Sequence, residues 1–300
     1  MPQGFDVDDT TSDFDEGVAN STTSLSSSIY EASNDDKQNE SLDIVHHVHL
    51  LMLDNQLFKA PLTDVQKVLD VGTGTGIWAT DVGDNYPSAE VIGIDISPIQ
   101  PFWVPPNVTF QIDDCKLEWT FQDDSFDLIH IRWMFGSIAD WNALFQQAYR
   151  CLKPGGWLES HEASTQFRSD DGTVEDESAM SQFSEALVQG GKKMGQSMTV
   201  VEDGTQRKAM EAAQFMNIRE QDYKTPVGEW PKDKRMKEIG RYQQVATEND
   251  VEGVLVYVAQ LLAWEPEEVH VLSAALRAEL RSRKIHAYYR QKIVYAQKPE

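Results

Sequence analysis

Residues Val68 to Trp78 read Val-Leu-Asp-Val-Gly-Thr-Gly-Thr-Gly-Ile-Trp, an apolar run that ends in three alternating glycines and passes at once into helix-forming sequence. A buried strand feeding a helix through a glycine turn is the first half of a βαβ unit, and such units demand a parallel sheet covered on both faces. Glycines in the turn permit positive φ and let a ligand lie against bare backbone. The usual dinucleotide fingerprint is GxGxxG, with a helix N-terminus facing a pyrophosphate. Here the spacing is Gly72-x-Gly74-x-Gly76, and Asp70 stands two residues before the first glycine. A carboxylate there repels a pyrophosphate and suits a ligand carrying an ammonium group.

The next strands carry the same theme. VIGID ends at Asp95, where a carboxylate can accept hydrogen bonds from both hydroxyls of a ribose. FQID ends at Asp113 and Asp114, where a side chain or a backbone amide can read an adenine edge. Three consecutive strands thus deliver polar groups to one sheet edge, the place where open parallel sheets bind ligands. Order and spacing together point to an adenosine with an amino-acid end.

The wider pattern gives strands at 65–71, 90–95, 108–112, 126–131 and 157–161, with helices near 77–85 and 141–152. Proline and glycine in KPGG are expected to stop the second of these helices. Upstream, Leu42, Val45, His46, His49, Leu50 and Leu53 recur at helical spacing behind Ser41, a candidate N-cap. Beyond Ser169 the chain reads mostly as helix, at 175–195, 204–216, 232–248, 250–263 and 266–284, with strands at 218–223 and 288–296. This organisation predicts one elaborated α/β domain over 41–300, with a helical cap from about 41–60 and 230–285.

Charge separates the remainder. The chain carries −23, and residues 1–40 alone hold ten acidic residues, one Lys and eleven Ser or Thr. So polar a segment cannot offset its chain entropy, which predicts a disordered arm that solubilises the protein or binds a regulatory partner. The acidic balance repels phosphates and anionic lipid and argues against autonomous nucleic-acid binding. No run of apolar residues is long enough for a membrane span, and the N-terminus lacks the pattern of a secretory signal. Two cysteines, Cys115 and Cys151, cannot frame a disulfide scaffold. The expectation is a reduced intracellular protein, cytoplasmic rather than nuclear because basic runs beyond KDKR at 232–235 are lacking. His46, His47 and His49 do not form a convincing ligand set, since only His46 and His49 share a helical face; no metal is expected.

At these residues the chain resembles class I S-adenosylmethionine-dependent methyltransferases, and more narrowly the LaeA-like methyltransferases of fungal secondary metabolism. The matching strings are LDIVHHVHLLMLDNQLFKAPL, VLDVGTGTGIWATDVGDNYPSAEVIGIDISPIQPFWVPPNV, FDLIHIRWMFGSIADW, LKPGGWLESHE, PVGEWPKD and IHAYYRQKIVYAQKP. They cover roughly 41–299 and exclude the acidic arm. The resemblance implies a Rossmann-like α/β sheet of seven strands, mostly parallel with the last antiparallel. It also implies S-adenosyl-L-methionine as cofactor. Asp70, Gly72, Thr73, Gly74 and Gly76 would then surround the methionyl part and Asp95 would hold the ribose. Ile96 would lie beside the adenine, Asp113 and Asp114 at its polar edge, and Arg132 would face the same pocket.

Methyl transfer from a sulfonium rests on in-line positioning and partial desolvation, so a dedicated base is optional. A phenol or alcohol acceptor gains from one near neutral pKa. His161 and Glu162, at the end of the fifth strand, are the candidate catalytic pair. His130, inside the apolar run DLIHIRW, reads better as satisfying a buried hydrogen bond. Trp133 and Phe135 are candidate walls of the substrate pocket. The expected function is methylation of an O, N or carboxylate centre on a small secondary metabolite. The alternative is a LaeA-like regulatory protein of the same fold acting in a protein complex.

Overall fold

The computed structural model describes residues 36–300. Seven strands form one sheet: β1 (Lys67–Val71), β2 (Glu90–Asp95), β3 (Val108–Ile112), β4 (Phe126–Arg132), β5 (Leu152–Ala163), β6 (Met216–Pro226) and β7 (Tyr288–Gln297). Their order is β3-β2-β1-β4-β5-β7-β6. Pairs among β1 to β5 are parallel, and β7 runs antiparallel to both β5 and β6. The helices are α1 (Asp36–Met52), α2 (Ile77–Asn85), α3 (Trp141–Cys151), α4 (Ala179–Met194), α5 (Thr205–Ala212), α6 (Lys234–Leu262) and α7 (Pro266–Leu280).

The unbroken apolar runs of the inner strands are explained by burial on both faces. Leu69, Val71, Ile129 and Ile131 join a core with Leu144 and Phe145 of α3 and Met210 of α5. Val68, Val91 and Leu128 point the other way, onto Trp78 and Val82 of α2. Each such side chain, wholly withdrawn from water, contributes about 1.5–3 kcal/mol. A third core holds the cap together, with Val251, Leu255 and Ala259 of α6 against Val269, Leu272 and Leu276 of α7. The apolar stripe of α6 is therefore core.

Several boundaries differ from the sequence reading. Helix α1 begins at Asp36, inside the stretch expected to be a disordered arm, while residues 1–35 of that arm lie outside the described residues. Ser41 is accordingly no N-cap; it is buried in the helix, with its Oγ 3.5 Å from Ala246 O. The segments expected at 232–248 and 250–263 are one helix, α6. Glu248-Asn249-Asp250 contains no proline, and Glu248 is held at 2.6 Å by Arg281, the residue that caps the C-terminus of α7, instead of marking a solvated turn. Finally, β5 begins at Leu152, because Leu152 pairs with Phe126 and KPGG runs within the strand behind an irregularity in register.

Candidate active site

The glycine turn is built from its carboxylates outward. Asp95, at the end of β2, accepts from Gly74 N (2.8 Å) and Ser97 N (2.9 Å), and burial raises its carboxyl above the ordinary value. Asp70 is buried and accepts from Thr73 Oγ1 (2.6 Å) and His130 Nδ1 (2.7 Å). The His130 ring stacks on Trp78 at 3.7 Å between centroids, so this histidine is fixed on both sides. Gly76 has φ +78, and a Cβ there would run into the Phe110 ring.

Beside the turn lies a crevice lined by Gly72, Asp95, Ile96, Asp113 and Asp114, with Ile94, Cys115, Lys116, Met134, Ser137 and Ile138. Five of the expected site residues thus meet in one place. Asp70, Thr73, Gly74 and Gly76 form the turn behind it. Sequence reasoning missed Met134 and Ile138, which enter from the loop after β4; the string RWMFGSI held the signal, since strand mouths of this sheet carry the site. The Met134 thioether packs directly over Gly72. Cys115 is buried, and burial pushes its thiol up to about 12.

Arg132, Trp133 and Phe135 leave the mouth of β4. Arg132 Nη1 lies 3.2 Å from His46 Nδ1. A guanidinium only donates, so His46 Nδ1 accepts and its Nε2–H donates to Asp81 (2.9 Å). Burial lowers the Arg132 pKa to about 10, and that of His46 as well. His161 and Glu162 do not line the crevice. Glu162 is fully buried and accepts from Met134 N (3.2 Å) and Phe135 N (2.9 Å); burial raises its carboxyl to about 8. His161 donates from Nε2 to Gln291 Oε1 (2.6 Å), since the Gln291 amide nitrogen is committed to Thr225 Oγ1 and Tyr289 OH. Burial takes the His161 imidazole down to about 3.

Sheet register places Asp70 beside His130 and Arg132 beside His161, on one face of the sheet. Helix α1 covers that face, with His46 over Arg132 and the His49 ring 4.4 Å from that of His161. Its N-terminal half reaches the glycine turn, where Asp43 accepts from Thr75 Oγ1 (2.6 Å).

A seven-stranded sheet with a glycine turn, an acidic crevice and this strand order narrows the choice of family, and comparison with known proteins decides it. The family model described as "Methyltransferase domain" matches residues 44–220, more than half of the chain. The chain belongs to the S-adenosylmethionine-dependent methyltransferases. The methyltransferase is 42% identical to Methyltransferase pytC of Aspergillus terreus over 276 residues, which cover 90% of this chain and 83% of pytC. It is 34% identical to Secondary metabolism regulator LAE1 of Cochliobolus heterostrophus over 274 residues, 89% of each chain. Among solved structures, a chain of the complex between the Haloferax volcanii Trm112 methyltransferase activator and its methyltransferase gives a TM-score of 0.51 at 16% identity. That likeness covers 90% of this chain and 98% of that one, and concerns the fold alone.

The crevice of the methyltransferase suits the cofactor of its family. Isoleucines 94, 96 and 138 offer apolar walls to a flat base, while Asp95, Asp113 and Asp114 offer acceptors for hydroxyl and amino groups. Lys116 is the one cation in the lining, and it is drawn to Asp114 at 3.7 Å. A pyrophosphate would meet three carboxylates there against this single cation. Among the described residues there is no cluster of ligands for a metal ion, and no helix is long and apolar enough to cross a membrane.

Proposed function

We propose that the methyltransferase modifies an O, N or carboxylate centre of a small, moderately apolar metabolite. The observation that carries this reading is the 42% identity with pytC across nine-tenths of the chain, together with an acidic, glycine-floored crevice. The cofactor supplies an electrophilic methyl group on a sulfonium. In this reading Asp95 accepts from the ribose hydroxyls, Ile96 lies against the adenine, and Asp113 and Asp114 serve its polar edge. Gly72, Thr73, Gly74 and Gly76 floor the methionyl part, Asp70 faces its ammonium, and Arg132 its carboxylate. Trp133 and Phe135 wall the acceptor side and exclude water. Glu162 acts by positioning, since its carboxyl group anchors the backbone of Met134 and Phe135, and His161 acts from behind through Gln291.

Calorimetry with S-adenosylmethionine, S-adenosylhomocysteine and NAD, followed by comparative metabolomics of a deletion strain, tests the proposal. Binding of the first two, with loss of a methylated metabolite, is expected. Tight binding of NAD alone would overturn it. The regulatory reading is favoured by the relationship to LAE1 and by the acidic arm, which supplies charge for a partner. Stable capture of transcription-related proteins from native extract, with no methylated metabolite lost, would decide for it. The cellular address follows from neither reading; fluorescent tagging distinguishes cytoplasm from nucleus.

A further inference from the structure

Gly72 and Met134 line the crevice, and just before them in the chain stand two residues of opposite charge, Asp70 and Arg132. Register puts Asp70 beside His130, so Arg132 lies further along the same face of the sheet. The two do not pair. Among the described residues Arg132 enters no ion pair: its Nη1 lies 3.2 Å from His46 Nδ1, and Asp70 and Asp81 act on it only at longer range. Its other guanidinium nitrogens have no hydrogen-bond partner among those residues, yet they are not sealed from solvent. A cation withdrawn from water without a counter-ion is costly, and arginine ordinarily takes a carboxylate into its fork. Asp70 is engaged on both oxygens by uncharged donors, His130 Nδ1–H at 2.7 Å and Thr73 Oγ1 at 2.6 Å. Each histidine is itself held, His130 by the Trp78 ring and His46 by Asp81, which accepts from Nε2 at 2.9 Å. Burial lowers the proton affinity of both imidazoles, so both are neutral at pH 7.

We propose that His46 is a positioning residue for the cofactor: it holds the Arg132 guanidinium away from Asp70, so that both charges stay available to the zwitterionic amino-acid end. His130 does the same for Asp70 from the other side. An amino acid presents an ammonium and a carboxylate on one carbon, and its receptor needs an anion and a cation that are near each other but not joined. Left alone, a guanidinium and a carboxylate on one face pair bidentately, and a ligand would then have to break that pair. A neutral imidazole offers one bare nitrogen and one N–H. His46 therefore accepts from Arg132 without adding charge and hands its own proton to Asp81. A carboxylate at position 46 would neutralise the guanidinium, and an ammonium would repel it. The relay works with α1 seated on the sheet as it is. It also gives His46, in the histidine-rich run of α1, a use that involves no metal.

The inference rests on the cofactor reading and names a residue that sets up one end of that site. Calorimetry on the full chain would compare S-adenosylhomocysteine with 5′-methylthioadenosine, which keeps the nucleoside and thioether but lacks the amino-acid end. The wild type should bind the first at least about tenfold more tightly, as hydrogen bonds to charged groups imply. His46→Phe should weaken S-adenosylhomocysteine by about fivefold or more and leave the 5′-methylthioadenosine Kd unchanged. His46→Gln, whose amide offers an acceptor to Arg132 and a donor to Asp81, should restore the affinity. Arg132→Met should lose the same preference, and His46→Phe added to it should cost nothing further, since one residue acts through the other. If His46→Phe does not fold, Asp81→Ala cuts the relay at its more exposed end and should show the same selective loss. Equal weakening of both ligands, an additional loss in the double variant, or a His46→Gln no better than His46→Phe would overturn the positioning role alone. So would a wild type that binds the two ligands equally. Failure of the wild type to bind S-adenosylhomocysteine at all would overturn the parent reading and the inference with it.

Discussion

Gly72 and Gly76 both hold positive φ, at 70° and 78°, yet an added methyl group meets different neighbours at the two positions. At Gly72 it strikes the end of the Met134 side chain, which can swing away. At Gly76 it strikes the Phe110 ring, already wedged against Gly93. Gly72→Ala should therefore cost only the left-handed strain of about 1–2 kcal/mol, while Gly76→Ala adds an overpacking cost of about 1–3 kcal/mol. Denaturant melts check the order, and a Gly72→Ala variant less stable than Gly76→Ala would contradict it. Asp95→Ala removes a carboxylate that binds two backbone N–H groups and faces the crevice. Its S-adenosylhomocysteine affinity should fall by about 1–3 kcal/mol, with Asp95→Asn between the two; calorimetry giving an unchanged Kd in a folded variant would remove Asp95 from the ribose. These glycines and carboxylates were legible in the sequence because turn geometry and strand ends are local. Met134, Ile138 and the pairing of His130 with Asp70 were not, because they depend on which strands lie side by side.

At the scale of elements, α1 is the piece whose position most affects the crevice. It ties the glycine turn through Asp43 and Thr75, ties α2 through His46 and Asp81, and lays Leu42 over Gly74. Each polar tie is worth about 0.5–1.5 kcal/mol, small enough for the helix to lift locally while the sheet stays folded. Thr75→Val together with Asp81→Ala should loosen it. Hydrogen exchange of residues 36–52 would then quicken by about tenfold or more, with exchange in β1 and β4 unchanged. Uniform protection loss across the sheet would mean that α1 is integral to the fold and not a movable cover. The existence of α1 was readable from its apolar spacing, but its start was not. Acidic and polar residues 36–40 look disordered in isolation and become helical as the first turns of a helix seated on α6 and the sheet. The continuity of α6 was hidden for a related reason: the charged break at 248–250 is matched by Arg281 at the end of a neighbouring helix, which no local pattern reports.

For the molecule as a whole, buried titratable groups of both kinds set a bounded pH range. His161 is about 3 when folded against an ordinary 6.5, and His49, His46 and His130 are lowered as well. For these the unfolded chain binds more protons below pH 6.5, so their contribution is complete above that value and is lost as pH falls towards 3. Glu162 at about 8 and Glu159 at about 7 behave in the opposite sense. The folded chain holds their protons longer, so their contribution is complete below 4.5 and is lost as pH rises through 7 to 8. Each group changes stability by about 1.4 kcal/mol per pH unit inside its window. Between 4.5 and 6.5 the two sets oppose each other; outside it only one set acts on each side. Thermal melts across pH 3–9 should therefore give a maximum near pH 5–6.5, with Tm falling on both flanks. The alkaline flank carries its own control. Glu162→Gln cannot accept from both Met134 N and Phe135 N, so it should be less stable at pH 6 by about 1–3 kcal/mol. Having no proton to lose, however, it should decline less steeply between pH 6.5 and 8 than the wild type. Parallel slopes for the two proteins would mean that Glu162 titrates normally, and that solvent reaches the segment behind Trp133 and Phe135.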